Sequence, residues 1–321
     1  MDSFGERREK MNILVTGGAG FIGSHICDLL IGEGHRLFVI DNLSAGSPEN
    51  LNKLVKFYNI DLGDCEKVRQ VFSDNNIEAV YHCAAQIDVR KSVEDPVNDA
   101  RENILNTLKL LEICSEFHIW HFIFSSTGGA IYGNAKIPNS EEMDAMPVSP
   151  YGCAKLAIEK YLNYFHEVRG LQFTILRYSN VYGPRQNSRG EAGVIAIFID
   201  AMLRGKPPII YGGNQTRDFV FAGDVAKANL LALNRPKNSF YNVGTGVETS
   251  VNELFIKING LFGGKFRPAI SQMRRGEQLR SCLNIEKVKT ALGWSPEIIL
   301  DEGLARTYSW IKRVYENEKR R

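Results

Sequence analysis

Tyr151 and Lys155 stand four residues apart in "SPYGCAK" (149–155), which places both on one face of a helix. Ser149 suits the N-cap of that helix and Pro150 its first turn. A phenol, with an ordinary pKa of about 10, is a poor base at neutral pH, and a neighbouring ammonium favours the phenolate. The pair is therefore a candidate general base for a substrate hydroxyl. The spacing alone occurs often by chance. "FSSTGGAIYG" (124–133) strengthens it with hydroxyls at the end of a predicted strand, able to bond the substrate hydroxyl as its proton leaves. Read by itself, that segment is a Gly-rich turn with polar caps.

"TGGAGFIGS" (16–24) supplies a second site feature. Gly17, Gly20 and Gly23 fall as G-x-x-G-x-x-G between the first predicted strand and the first predicted helix. Bare backbone at the first two positions lets a pyrophosphate reach the helix N-terminus, where free N–H groups and the helix dipole favour an anion. Gly23 lets the helix approach the sheet. Asp41 closes the next strand, "RLFVID", where a carboxylate accepts from ribose hydroxyls and repels a 2′-phosphate, so NAD is favoured over NADP. Asp41 also suits a turn in "DNLSAGS", and both roles are compatible. Asp61 and "HCAA" (82–85) follow the third and fourth strands, where the adenine and the middle of the cofactor would lie. The positive charge of an oxidised nicotinamide would join Lys155 in favouring the Tyr151 phenolate.

The elements that must position these groups alternate. Strands are predicted at 12–16, 36–40, 56–60, 78–82, 120–125 and 173–177, with helices at 21–33, about 93–117 and from Pro150. This is an α/β pattern, a Rossmann-type doubly wound parallel sheet with a smaller, loop-rich C-terminal substrate lobe. Residues 1–10 read as a disordered extension or cloning remnant, and 11–180 as the NAD-binding lobe, to which the chain returns near 217–245. Residues 181–321 read mainly as the substrate lobe. A final amphipathic helix carries Leu304, Tyr308, Ile311 and Tyr315 on one face.

Composition narrows the class. The net charge of +2 and scattered basic residues argue against nucleic acid or an anionic membrane as partner. No apolar run reaches the roughly 18 residues of a membrane helix. The six cysteines form no C-x-x-C pair and no metal-ligand spacing, so no metal is expected, and reduced thiols in the cytoplasm are.

The chain resembles the UDP-glucose 4-epimerase family of extended short-chain dehydrogenases/reductases. The likeness rests on "TGGAGFIGS", "DNLSAG", "HCAAQ", "FSSTGGAIYG", "YGCAK", "RYSNVYGPRQ", "TRDFVFAGDVA" and "RRGE". It implies Tyr151 as base, Lys155 as its partner and Thr127, preferred over Ser126, as the hydroxyl at the sugar O4. It implies cofactor contacts from Gly17, Gly20, Phe21, Ile22, Gly23, Asp41, Asn42, Asp61, Leu62, Ala84, Ala85, Asn103, Ser125, Tyr151, Lys155 and Tyr178. Substrate contacts are implied for Ser126, Thr127, Asn180, Arg217, Arg274, Glu277 and Ser281. The implied reaction moves the C4 hydride of a UDP-hexose to NAD, turns the 4-keto sugar over and returns the hydride to the other face. Relatives that dehydrate or decarboxylate place an acid directly after the Ser/Thr, whereas Gly128 and Gly129 follow Thr127 and the next acid is Glu141.

Ser281 stands where a bulky Tyr in relatives excludes a C2 N-acetyl group, so UDP-GlcNAc and UDP-GalNAc enter the expected range. The plainer reading is a strand residue facing solvent. A UDP-glucuronate 4-epimerase is the alternative enzyme, with Arg185 or Arg90 as the required cation near C6. A non-catalytic NAD-binding sensor is the alternative class, though such relatives usually lose the Tyr or the Lys. Leu105, Leu108, Tyr161 and Tyr164 fall on the two long predicted helices, which in similar proteins form a four-helix homodimer seam.

Overall fold

The computed structural model describes residues 10–188, 193–234, 238–273 and 278–320. The predicted extension 1–10 lies outside them except for Lys10. Six strands form as β-rich runs between turn residues: β1 (Asn12–Thr16), β2 (Arg36–Asp41), β3 (Lys56–Asn59), β4 (Ala79–His82), β5 (His121–Thr127) and β6 (Phe173–Tyr178). After them come β7 (Asn180–Tyr182), β8 (Ile209–Tyr211), β9 (Thr216–Phe221), β10 (Ser239–Val243), β11 (Glu248–Ser250) and β12 (Ala269–Ser271). The main sheet is parallel throughout, in the order β10-β6-β5-β4-β1-β2-β3. The chain leaves β1 toward β2 on one side and later resumes at β4 on the other, so a crevice opens at the carboxyl ends of β1 and β4.

Both faces of the sheet are covered, and strand periodicity divides the core accordingly. Ile13, Val15, Val39, Tyr81 and Ile123 pack on one side with Ile26, Leu30 and Val225. Leu14, Phe38, Ile40, Val80, Phe122 and Phe124 pack on the other with Phe72, Leu111, Ile158 and Leu162. The second lobe has its own core, where Tyr182, Phe198, Phe219, Leu254, Leu304 and Ile311 meet between a three-stranded sheet, β11-β9-β7, and its helices.

The helix expected over 93–117 is broken. Asp95 caps a new helix, Pro96–Ala100, because Pro96 cannot continue the preceding one, Val89–Glu94. A π-helical turn follows over Arg101–Leu105 before regular helix resumes at Asn106–Glu116. Such bulges often mark functional positions. Leu108, expected at a subunit seam, packs against the core instead.

The helix Pro150–Arg169 starts as its sequence predicts, with Ser149 Oγ accepting from Gly152 N at 3.2 Å. A buried ion pair fixes it to the sheet. Glu159 receives Arg177 of β6 through Nε at 3.0 Å and Nη2 at 2.5 Å, and both side chains are about 5% exposed or less. Ser126 Oγ donates to the same carboxylate at 2.6 Å, while Arg177 Nη1 donates to Tyr132 Oη at 2.8 Å. Removing one member of such a pair strands the other charge in the interior. Glu159→Gln is therefore expected to cost about 3 kcal/mol in denaturant unfolding.

Candidate active site

Tyr151 and Lys155 lie on the inward face of the helix Pro150–Arg169, over the end of β5. Lys155 Nζ donates to Ser125 O at 2.9 Å and sits 4.8 Å from the Phe124 ring centroid and 5.8 Å from that of Tyr151. Burial pulls the ammonium down to about 8, against opposing fields from Cys83, Asp99 and Glu159. Burial also raises the Tyr151 phenol, and Asp99 raises it further. Burial and Asp99 thus favour the protonated phenol of Tyr151. Sequence considered only the cations that favour phenolate; the buried carboxylate opposite them was not legible.

The hydroxyls at the end of β5 separate by strand alternation. Ser125 Oγ donates to Cys83 Sγ at 3.3 Å and lies 3.2 Å from Tyr178 Oη. Ser126 was expected at the substrate, but it points to the opposite face and is held by Glu159. Thr127 caps a short helix, Gly128–Ile131, without spending its side chain on it. A Cβ built on Gly129 would lie 3.9 Å from Thr127 Oγ1 and 3.7 Å from Asn180 Oδ1, so these two groups converge. Asn180 Oδ1 is buried without a partner, which marks it as open to a ligand.

The glycine loop adjoins this cluster. Gly17 has φ +70°, and a Cβ there would lie 2.6 Å from Ala84 N, so only glycine lets the β1 and β4 loops close on each other. Phe21 opens the first helix, Phe21–Gly32, with no side chain capping it, which leaves its leading N–H groups to an anion. Ile22 packs inward, and Phe21 stacks edge-on to His25 at 5.8 Å. Asp41 serves the turn, accepting from Ala19 N at 3.0 Å and Leu43 N at 2.8 Å, and the second lone pair on each oxygen can still meet ribose hydroxyls. Asn42 Nδ2 donates to Asp61 at 2.7 Å, and Leu62 packs beside them on the core. These residues fit a dinucleotide laid along the carboxyl ends of the strands, with its pyrophosphate at Gly17–Gly20.

Asn103, expected against the cofactor, is engaged elsewhere. Its amide donates to Gln86 O and Asp99 Oδ1, both at 2.9 Å, and its oxygen accepts from Gln86 N at 2.9 Å. Asn103 therefore ties the π-helical turn to the loop containing Ala84 and Ala85. His82 joins the same framework. Thr107 spends its hydroxyl proton on Asn103 O, so it must accept from His82 Nε2, and His82 Nδ1 then accepts from Thr16 Oγ1 at 2.7 Å. Burial, then Lys155, push this imidazole down to about 3, so it stays neutral.

In the second lobe, Arg217 Nη1 donates to Thr216 O at 2.8 Å on β9. Ser281 is 1% exposed and its Oγ is buried without a partner, so the solvent-facing alternative is wrong. Neighbouring Leu283 covers Gly128, and its N–H donates to Asp218, which also binds Ser179 and Thr245. The segment carrying Ser281 is therefore fixed against the end of β5. Arg274 and Glu277 lie outside the described residues. Sequence reading missed Asp99, Gln86 and the pair Glu159–Arg177. Of these only Glu159 carried a signal, one more four-residue step along the Tyr151–Lys155 stripe.

Comparison with known proteins gives the chain a family setting. A model described as "NAD dependent epimerase/dehydratase family" matches residues 13–244. The chain is 39% identical over 310 residues to a UDP-glucose 4-epimerase of Mycolicibacterium smegmatis, covering 94% of this chain and 99% of that one. It superposes on a UDP-glucose 4-epimerase of Thermotoga maritima solved with UDP-glucose, with TM-score 0.93, 47% identity and coverage of 95% and 100%. A UDP-N-acetylglucosamine 4-epimerase of Methanobrevibacter ruminantium, solved with UDP-N-acetylmuramic acid, superposes with TM-score 0.90, 36% identity and coverage of 96% and 100%.

Proposed function

The chain belongs to the NAD dependent epimerase/dehydratase family, and from that membership we propose that it inverts C4 of a UDP-hexose, UDP-glucose to UDP-galactose and back, using NAD. The observation that carries this reading is Thr127, which converges with Asn180 at the end of β5, the strand that holds Lys155 through Ser125 O, and is followed in the chain by no acid. Gly128 and Gly129 follow in the chain, and Glu141, the next acid, is turned inward to accept from Asn242 N at 2.7 Å. Dehydration would need an acid at the departing water; epimerisation needs only a base that returns its proton.

NAD, when bound, supplies the acceptor and later donor for the C4 hydride. Tyr151 takes the C4 hydroxyl proton and gives it back, and Thr127 orients that oxygen. Lys155, anchored to Ser125 O, favours the phenolate when the base is needed. Asn180 and Arg217, with Arg274, hold the diphosphate, and Glu277 holds the uridine ribose. Anchoring at the nucleotide leaves the sugar free to present its second face. A charged C6 is less well served. Arg185 is paired with Asp28 at 2.5 Å and Arg90 lies 3.9 Å from Asp88, so neither candidate cation is left uncompensated for a uronate.

Ser281 extends the substrate range. A small buried side chain with a spare hydroxyl leaves room for a C2 N-acetyl group, and the Methanobrevibacter relative acts on such a sugar. The assembly is a homodimer. Val93, Val97, Leu105, Tyr161, Tyr164 and Val168 are exposed on helices that pack side by side, an apolar face a monomer rarely leaves in water. No helix among the described residues is long and apolar enough to cross a membrane, and the expected compartment is the cytoplasm.

Three measurements test these statements. Purified protein should interconvert UDP-galactose and UDP-glucose by NMR, and Tyr151→Phe should lower kcat by about 10²–10⁴-fold while NAD stays bound; conversion at the wild-type rate would remove Tyr151 as base. Ser281→Tyr should depress kcat/KM for UDP-GalNAc relative to UDP-galactose by about ten- to a hundred-fold, and an unmoved ratio would overturn the pocket assignment. Light scattering should return twice the chain mass, and a single-chain mass would overturn the dimer.

A further inference from the structure

Asp99 has no part in the reaction described so far, yet its setting is costly. It is 1% exposed, at the end of the short helix Pro96–Ala100, which packs against the helix carrying Tyr151 and Lys155. Burial raises this carboxyl, and against that Oδ1 accepts from Gln86 Nε2 at 3.0 Å and Asn103 Nδ2 at 2.9 Å, two donors that favour the charged form, as does the Lys155 field. Oδ2 is buried with no hydrogen-bond partner, and among the described residues no cation lies within ion-pairing distance. A buried carboxylate left in this state is a functional candidate.

The other groups around the pair are silenced. Cys83 is pushed up to about 11, with burial the largest cause, so it holds its proton and would act on Lys155 only as a thiolate at higher pH. His82 is neutral. Glu159, one turn past Lys155, is neutralised by Arg177. Asp99, on the short helix packed against Pro150–Arg169, is then the carboxylate without its own cation among the described residues whose field reaches both Tyr151 and Lys155.

We propose that Asp99 is a fixed counter-charge to Lys155 that keeps the abstracted proton on Tyr151 while the 4-keto sugar turns over. The inference rests on Tyr151 being the base. An uncompensated Lys155 would favour loss of that proton to water, and a ketone without its proton donor could not be returned to an alcohol. Asp99 opposes the loss without touching the substrate. The π-helical turn beside it holds Asn103 and Gln86 on Oδ1, which fixes where the charge stands.

The test compares holoenzymes. Asp99→Asn keeps an acceptor for Gln86 and Asn103 and changes only the unpartnered oxygen, so the fold should persist. The Tyr151 phenolate is followed by ultraviolet difference titration near 295 nm against the matching Tyr151→Phe protein. In Asp99→Asn the midpoint should fall by about one pH unit, a tenfold loss of proton affinity. The acidic limb of the kcat profile should move down equally, and Asp99→Glu should stay near the wild-type position. A lower kcat with midpoint and limb unmoved, or an upward shift, overturns the proposal. Should Asp99→Asn fail to fold, Asp99→Ser is read in the same way. Wild-type protein that converts no UDP-hexose would sink the epimerase reading itself, whereas active wild type with an unmoved Asp99→Asn midpoint sinks this role alone.

Discussion

The buried pair Glu159–Arg177 is the contact on which the site depends. Tyr151, Lys155 and Glu159 form one stripe along the helix Pro150–Arg169; Lys155 reaches the sheet through a backbone carbonyl, and Glu159 through an ion pair. Arg177 belongs to β6, Ser126 to β5, and both meet the same carboxylate. The position of Lys155 above Ser125, and of Tyr151 one turn before it, is therefore set by an ion pair that touches no substrate. Such a pair contributes little net energy compared with apolar packing, but it permits one register of helix on strand.

A second layer of polar groups ties the glycine loop to that helix. Thr16, His82, Thr107 and Asn103 pass hydrogen bonds in one direction, and the neutral imidazole in the middle fixes which atoms donate. Asn103 then reaches Gln86 and Asp99. The loop at Gly17 and the π-helical turn at Arg101–Leu105 are parts of a single network, satisfied except at Asp99 Oδ2, and satisfied buried polar groups add rigidity. The second lobe closes on this frame through Asp218, whose carboxylate accepts from Ser179, Thr245, Gly246 and Leu283.

What could be read from the chain before folding was whatever is local. The strand runs, the glycine spacing, the Ser149–Pro150 helix start and the Tyr151–Lys155 step each depend on a few neighbouring residues. The long helix over 93–117 failed because Pro96 and the π-helical turn interrupt an apolar spacing that otherwise continues. Ser126 failed because a run of hydroxyls does not say which of them faces the crevice; β5 alternation sends Ser125 and Thr127 one way and Ser126 the other.

The sequence alone determined the sheet class and the glycine loop and singled out Tyr151 as the proposed base, since each is written in short-range spacing and backbone freedom. Tertiary structure alone decided the environment of that base. Asp99 lies fifty-two positions before Tyr151 in the chain, and Arg177 lies 18 positions after Glu159. Spacing over such separations carries no distance, and only the packed helices and strands bring these charges close enough, in a medium dry enough, to act on a proton.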